Sequence, residues 1–425
     1  MGAPSAEAEA WAASGAMALT GRRDQPALVP PDGIVARILD LGRRLQVDSL
    51  GLLAERAAAA GLTRQGPWSC GGSALLLATA DGWLVVNLAR DDDRASVPAW
   101  LELDGAWDPE DPWPTISQQV SGRSASDLVA RGALLGLPIA RLGEAPAELP
   151  DSPDREADRE SIELAGLPVG ATRIGPAAPL DRPHDGVPDG LLDGLLVVDL
   201  SSLWAGPLCS RLLTDGGARV VKVESTSRPD GARRGVAAFF DRLQAGKRSV
   251  GLDLATEEGC VALRRLLDVA DVVVEASRPR ALRGLGIDAT DVLADGRCRA
   301  WVSITGFGRR SDRVAFGDDA AVAGGLVAFD EQGPCFAADA IADPLAGMVA
   351  AAAVDAALTA GGRWLLDVSM AAVAAHVAGA DRLAPWRSDE RLTPRAPRLD
   401  PPLDPARSLG ADNDLVAAEL GVQLP

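Results

Sequence analysis

The chain has 425 residues, with 60 Asp+Glu against 42 Lys+Arg and a formal net charge of −18. At about 150 residues per domain, that length predicts two or three domains. Hydrophobic residues make up 47% and charged residues 24%, which excludes disorder of the whole chain. The acidity argues against a nucleic-acid surface and against adsorption to anionic lipid.

Residues 1–66 read as helical. Ile34, Ile38, Leu39, Leu41 and Leu45 recur at near-helical spacing, as do Leu50, Leu53 and Ala54. Two apolar runs, 74–79 and 83–88, flank Ala80, Asp81 and Gly82, an Asp-Gly hairpin signal. A helix is expected over 126–135 and an apolar stretch over 137–142. Residues 144–190 are rich in Pro and acidic residues and read as an exposed, partly disordered linker.

From Leu191 strands and helices alternate. Strands are expected at 195–200, 219–224, 249–252, 272–275 and 300–305. Helices are expected at 207–214 and 257–267, with a helix or turn at 292–297. That alternation predicts α/β architecture, a parallel sheet with helices on its faces. Ala- and Gly-rich helices are expected at 318–329 and 343–358, a strand at 364–368, and helix again to about Ala380. A Pro- and Arg-rich tail over 386–407 precedes a last helix at 414–420.

Tyr is absent, His occurs only at His184 and His376, and Lys only at Lys222 and Lys247. The five cysteines, Cys70, Cys209, Cys260, Cys298 and Cys335, form no C-x-x-C pair, so neither a disulfide framework nor a metal site is expected. Reduced thiols point to a cytoplasmic protein. The opening residues carry no basic start, so no signal peptide is expected. No run of about 20 apolar residues is evident, so no membrane span is expected.

A doubly wound sheet binds ligands at the carboxyl ends of its strands. The first such end, Asp199 to Pro207, has neither G-x-G-x-x-G nor G-x-x-x-x-G-K-[ST]. Gly206-Pro207 opens a helix whose start can face an anion. Glu224 lies about 20 residues further on, where a ribose-binding carboxylate falls. The alternative for Lys222 and Glu224 is a plain pair of strand-end charges. Lys222, Lys247, Arg248, Arg278, Arg280 and Arg283 all fall near expected strand ends. Such local basicity in an acidic chain suggests an anionic ligand such as a phosphorylated nucleotide.

Leu196-Val197-Val198-Asp199-Leu200 with Ala205-Gly206-Pro207 resembles the opening of the CaiB–BaiF family, the family III CoA-transferases. Leu212 to Glu224, Lys247 to Leu254, Ala270 to Glu275 with Arg278-Pro279, and Ser303 to Gly308 follow in the family's order. The resemblance implies an open CoA-binding Rossmann-like large domain with a parallel sheet, a smaller α+β domain, and two interlinked chains. It implies transfer of CoA between carboxylic acids through an acyl-aspartyl anhydride, or racemisation or isomerisation of acyl-CoA thioesters. Its nucleophile maps to Asp343 in Ala342-Asp343-Pro344-Leu345-Ala346-Gly347. At a helix start the carboxylate is expected to be held ionised, although Asp before Pro also reads as a plain N-cap. Coenzyme A contacts are expected from Leu203, Trp204, Ala205, Lys222, Glu224, Lys247, Arg248, Arg278, Arg280 and Arg283.

The sequence departs from the family pattern at Ala276-Ser277, Arg280, Gly284 and Gln244, positions that lie around the family's CoA site. Asp318-Asp319 stands where racemase-type members carry a His-Asp pair, which disfavours racemase chemistry. The family's parts also come in an unusual order. Ala80 to Ala89 and Leu135 to Ala140 resemble its small domain, and Ser14 to Gly21 resembles the segment before the nucleophile. Matching Pro26 to Pro334 sets Val35 opposite Asp343. The expected division is a degenerate partial repeat (1–66), a small domain (67–143), a linker (144–190), a catalytic CoA-binding domain (191–385) and a tail (386–425). A homodimer with Asp343 near its interface is expected, with a heteromer as the rival. A non-catalytic CoA-binding subunit is the remaining functional alternative.

Overall fold

A computed structural model describes residues 3–105, 107–145, 166–176, 192–380, 382–400 and 404–425. In chain order its strands are β1 (Leu28–Val29), β2 (Ala74–Thr79), β3 (Gly82–Asn87), β4 (Ile139–Arg141), β5 (Val169–Gly175), β6 (Leu196–Asp199), β7 (Arg219–Ser225), β8 (Arg248–Leu252), β9 (Val272–Glu275), β10 (Ala300–Thr305), β11 (Val327–Asp330), β12 (Gly333–Phe336), β13 (Arg363–Ser369) and β14 (Arg387–Ser388). The chain divides into two compact units, and neither is continuous. The first comprises Met1–Glu148, Arg310–Leu345 and Met370–Leu399. The second comprises Leu149–Arg309, Ala346–Ser369 and Asp400–Pro425.

These units cut across the expected linear division. Residues 1–66 and 67–143 share a unit with Asp343, and 191–385 is not one body. The physical reason is long-range pairing within the first unit: Arg22 binds Asp330, Arg56 binds Asp339, and the Ala338 N–H donates to Thr20 Oγ1.

The second unit is built on a seven-stranded sheet ordered β5-β13-β10-β9-β6-β7-β8. Six strands are parallel, and β5 is an antiparallel edge on β13. Short Val-rich strands such as Val272-Val273-Val274 are buried throughout, as strands covered on both faces must be. Helix Glu257–Val269 packs Leu263, Leu266 and Leu267 into the core beside Val250 and Trp301. Its Thr256 N-cap accepts the Gly259 N–H at 3.1 Å. The final helix, Asn413–Leu420, lies against β8, with Asp412 accepting from Ser249 N at 2.9 Å. The edge strand β5 falls inside the stretch expected as linker. An antiparallel partner satisfies its backbone there, and the rest of 144–190 lies largely outside the described residues.

From β6 the chain steps to β7 and β8 on one side, and to β9, β10 and β13 on the other. The strand order therefore reverses between β6 and β9. In open α/β sheets ligands bind at such a switch point, at the carboxyl ends of the strands.

The first unit contains the expected hairpin, β2 on β3 with β4 added antiparallel. Leu84, Val86, Trp100, Ile116 and Leu128 form its core with three flanking helices. Two of these, Asp91–Leu101 and Trp113–Val120, escape the hydrophobic pattern. The helix expected over 318–329 ends at Gly324. Gly325 turns the chain at φ +78°, and β11 and β12 form a hairpin. Helix Ala342–Ala360 is longer than expected. Among the described residues it alone is long and apolar enough to cross a membrane, which corrects the expectation that no such run exists. It is 78% buried within the protein, as a core helix is.

Candidate active site

Asp343 is the second residue of helix Ala342–Ala360. Its Oδ2 accepts the N–H of Gly317 at 3.2 Å. Gly317 begins helix Gly317–Gly324, whose next residues are Asp318 and Asp319, both buried. Asp318 Oδ1 accepts from Ala340 N at 3.1 Å, and Asp319 accepts from Asn87 Nδ2 at 2.9 Å and from Phe316 N. Asp339 is fully buried and takes a two-pronged contact from Arg56, Nε at 2.9 Å and Nη2 at 2.5 Å.

The residues flanking Asp339 are strained. Ala338 and Ala340 have φ of +52° and +42°, which costs a non-Gly residue about 1–2 kcal/mol each. Four hydrogen bonds hold them there. Ala338 N donates to Thr20 Oγ1 at 2.9 Å, and Cys70 Sγ donates to Ala338 O at 3.4 Å. Ala340 N donates to Asp318, and Ala340 O accepts the Asp343 N–H at 2.9 Å. The start of the Asp343 helix is thereby fixed to a strained turn, as happens where surrounding structure over-determines a functional segment.

Burial pushes the Asp343 carboxyl up to about 7, and Asp318 and Asp339 add to this, while Arg56 and the Gly317 N–H pull it down. Burial, with Asp339, likewise raises Asp318 to about 7. Burial raises Asp319 to about 7 against the bonds from Asn87 and Phe316. For Arg56, burial acts against the charge, but Asp339, Asp318 and Asp343 outweigh it and hold the guanidinium protonated. These influences act against the ionised form expected of Asp343 at a helix start. Desolvation and two neighbouring carboxyls outweigh the helix dipole, whose effect is about 0.3–2 kcal/mol.

Gly317 is required for space. A Cβ there would fall on the Ala340 carbonyl oxygen and on Asp343 Oδ2. Gly317→Ala is expected to cost roughly 1–3 kcal/mol of stability by overpacking. It should also cut turnover at least about tenfold by displacing the carboxylate. Urea denaturation and initial rates read the two effects separately, and an unchanged rate would mean Asp343 tolerates displacement.

In the second unit, the turn after β6 carries Leu203, Trp204 and Ala205. Leu203 is 43% exposed with φ +70°. Its N–H donates to Asp230 Oδ1 at 3.0 Å. Trp204 is buried, edge-on to Phe239 at 5.1 Å, and Ala205 opens helix Ala205–Asp215. Of these three residues, Leu203 is presented to solvent.

The lysines are not where strand-end basicity suggested. Lys222 is buried, donating to Ser201 O at 2.8 Å and ion-paired with Asp230 at 3.1 Å. Lys247 is buried as well. Its Nζ meets Asp199 Oδ2 at 3.3 Å, Ser210 Oγ at 2.7 Å, Gln244 Oε1 at 3.0 Å and Pro207 O at 2.9 Å. Burial lowers its pKa to about 8, with Asp199 opposing that shift. Burial acts to raise the Asp199 pKa, but Lys247, Lys222, Ser201 and Ser210 bring it below the usual carboxylate range. Glu224 is occupied by Arg233, at 2.9 Å and 2.5 Å, and by Asp230 N at 2.8 Å. Protein partners thus already take up polar atoms of Lys222, Glu224 and Lys247, the residues expected to contact CoA.

The arginines lie nearer the surface than the lysines. Arg278 and Arg283 line a shallow open cleft with Arg309, Glu275, Asp288 and Trp301. Arg280 is exposed on the same short helix, Pro279–Gly284. Arg248 is half-exposed and reaches Glu419 at 3.2 Å. Arg309 is new to the site. Its Nη1 lies 3.3 Å from Glu275 Oε1, and its N–H donates to Asp367. Among the described residues no group of His, Cys, Asp or Glu is arranged to hold a metal ion.

A carboxyl at a fixed helix start suits acyl chemistry, and a cleft beside β9 and β10 bordered by arginines suits an anionic ligand. Comparison with known proteins gives that pairing its class. Residues 192–420 match the model for CoA-transferase family III, and the chain belongs to that family. Over 187 residues it is 33% identical to succinate–glutarate CoA-transferase of Agrobacterium fabrum, covering 39% of this chain and 46% of that one. Over 173 residues it is 32% identical to succinyl-CoA–D-citramalate CoA-transferase of Chloroflexus aurantiacus, covering 38% and 43%. Human alpha-methylacyl-CoA racemase is 38% identical over 118 residues, covering 28% and 29%. The chain thus spans less than half the length of these curated relatives. A solved CaiB/BaiF family protein from Brucella suis is 29% identical at a TM-score of 0.42, over 49% of this chain and 60% of its own.

Proposed function

We propose that this protein transfers CoA between carboxylic acids through covalent intermediates on Asp343. The carrying observation is Asp343 at a fixed helix start, coupled to Asp318, Asp339 and Arg56, in a chain of this family. In the proposed cycle the Asp343 carboxylate attacks the thioester carbonyl and the CoA thiolate leaves, giving a mixed anhydride. The thiolate then attacks the aspartyl carbonyl, which releases the first carboxylate and leaves an aspartyl-CoA thioester. An incoming carboxylate repeats the sequence in reverse. The names of the relatives favour succinyl-CoA as the first donor to assay. Incubation with succinyl-CoA followed by hydroxylamine should leave a hydroxamate on Asp343. A label mapped to any other residue overturns the reading.

CoA is assigned to the switch point of the second unit. Leu203 is exposed there on the β6 turn, and Arg248, Arg278, Arg280 and Arg283 supply charge for its phosphates. Lys222, Glu224 and Lys247 shape it from beneath. A cytoplasmic setting and a homodimer complete this reading. Light scattering at micromolar concentration tests the dimer, and a stable monomer removes it.

The partial-repeat reading gains support within the first unit. Val35 is the second residue of helix Ile34–Leu45, as Asp343 is of its helix. Glu7 is the second residue of helix Ala6–Ala13, as Asp318 is of its helix. Glu7 Oε2 accepts from Gly33 N at 2.9 Å, while Asp318 accepts from Ala340 N just before the other helix. In this reading Val35 stands in the nucleophile's place, and Glu7 takes a part like that of Asp318 from a position three residues away in register.

A second reading, acyl-CoA racemisation or isomerisation, draws on Asp318. It is coupled to Asp343, and both titrate near 7, the range of an acid–base pair. Incorporation of solvent deuterium beside the thioester, lost in Asp318→Asn, would favour it over transfer.

A further inference from the structure

We propose that Arg56, from the N-terminal segment outside the family match, is the positioning residue that lets Asp343 act as a carboxylate, through its two-pronged grip on Asp339. This rests on the reading of Asp343 as the covalent carboxylate. The geometry is a short chain of contacts. Arg56 lies on helix Glu55–Ala60 and spans Asp339 with Nε and Nη2. Asp339 sits between the strained Ala338 and Ala340, and the carbonyl of Ala340 receives the N–H of Asp343. Thr20 and Cys70, also outside the family match, hold the same turn from Ala338. The grip therefore fixes the turn from which the Asp343 helix starts.

The charges lead to the same residue. Asp318, Asp339 and Asp343 share one buried neighbourhood, and three adjacent carboxylates there repel strongly. Arg56 neutralises Asp339 directly and acts on Asp318 and Asp343 through space. Without it, the Asp339 charge would bear on Asp343 uncompensated and would hold a proton on the nucleophile. Residues 1–66 then complete the site rather than merely repeat part of it.

The test reads Asp343 without requiring turnover. A water-soluble carbodiimide with glycinamide labels protonated carboxyls, and peptide mass spectrometry measures Asp343 against the exposed Glu258 between about pH 5.5 and 8.5. The labelling midpoint of the parent is expected near 7. In Arg56→Gln it should rise by about one pH unit, and in Arg56→Lys, which keeps charge and loses the fork, by less. Asp339→Asn removes a like charge and should lower the midpoint, so that variant carries the test if Arg56→Gln does not fold. An unmoved midpoint in the folded variant overturns the role of Arg56. If the hydroxylamine label on the parent still maps to Asp343, that failure leaves the proposed function intact. A label elsewhere removes the proposed function, whatever the midpoints do.

Discussion

Asp343→Asn should lower turnover with succinyl-CoA at least about a thousandfold, or ~4 kcal/mol of transition-state stabilisation. An amide cannot form the anhydride, yet its oxygen can still accept the Gly317 N–H. The helix start should therefore survive, and the loss should be chemical. Stability is expected to move the other way. The folded-state pKa of Asp343, about 7, lies above the ordinary carboxylate value of 3.8. The folded protein then binds a proton that the unfolded chain releases between those two pH values. Its contribution to stability is full below about pH 4 and is lost as pH rises through 7. The Asn variant lacks that loss, so it should be more stable at pH 7 and less dependent on pH from 4 to 7. A carboxyl held for function rather than fold predicts this opposition. A variant with full activity would transfer the role away from Asp343, with Asp318 the next residue to test.

The sheet was legible because its evidence is local. Val-rich runs such as 272–274 and the Asp81-Gly82 turn announce strands and a hairpin within a few residues. Motif order, not any property of the residue itself, marked Asp343 as the candidate carboxylate. Its partners were not, since Arg56 meets Asp339 across 283 positions, and nothing distinguishes Arg56 in an Arg-rich chain. The same distance hid the interleaved units. Ala- and Gly-rich sequence over 318–329 has no periodicity to mark a break, and packing supplies it. A Cβ on Gly324 would strike Ala374 and Ala375, and Gly325 turns the chain. Strand β5 was concealed by acidic, Pro-rich neighbours. The lysines misled for another reason. Counting charge near strand ends cannot separate a cation that faces solvent from one enclosed by Asp199 or Asp230.

Lys247→Met should cost about 3–5 kcal/mol of folding stability, the penalty for leaving one member of a buried ion pair unmatched. The side chain of Lys247 is 1% exposed and that of Asp199 is 0% exposed. Removing the ammonium strands the carboxylate and takes a donor from Ser210, Gln244 and the Pro207 carbonyl. In urea the midpoint should fall with the m-value unchanged. Asp199→Leu combined with Lys247→Met should recover much of the loss, because an apolar pair carries no desolvation cost. The pH dependence supplies an independent check. With its folded-state pKa near 8 against an ordinary 10.5, Lys247 releases a proton that the unfolded chain keeps between those values. Stability of the parent should therefore rise with pH from about 8 to 10.5, and the variant should lack that rise. If Lys247 instead gripped a phosphate of CoA, Lys247→Met would keep its urea midpoint and lose the thermal shift given by added CoA. That pattern would return Lys247 to the ligand and overturn its place as an interior brace beneath the β6 turn.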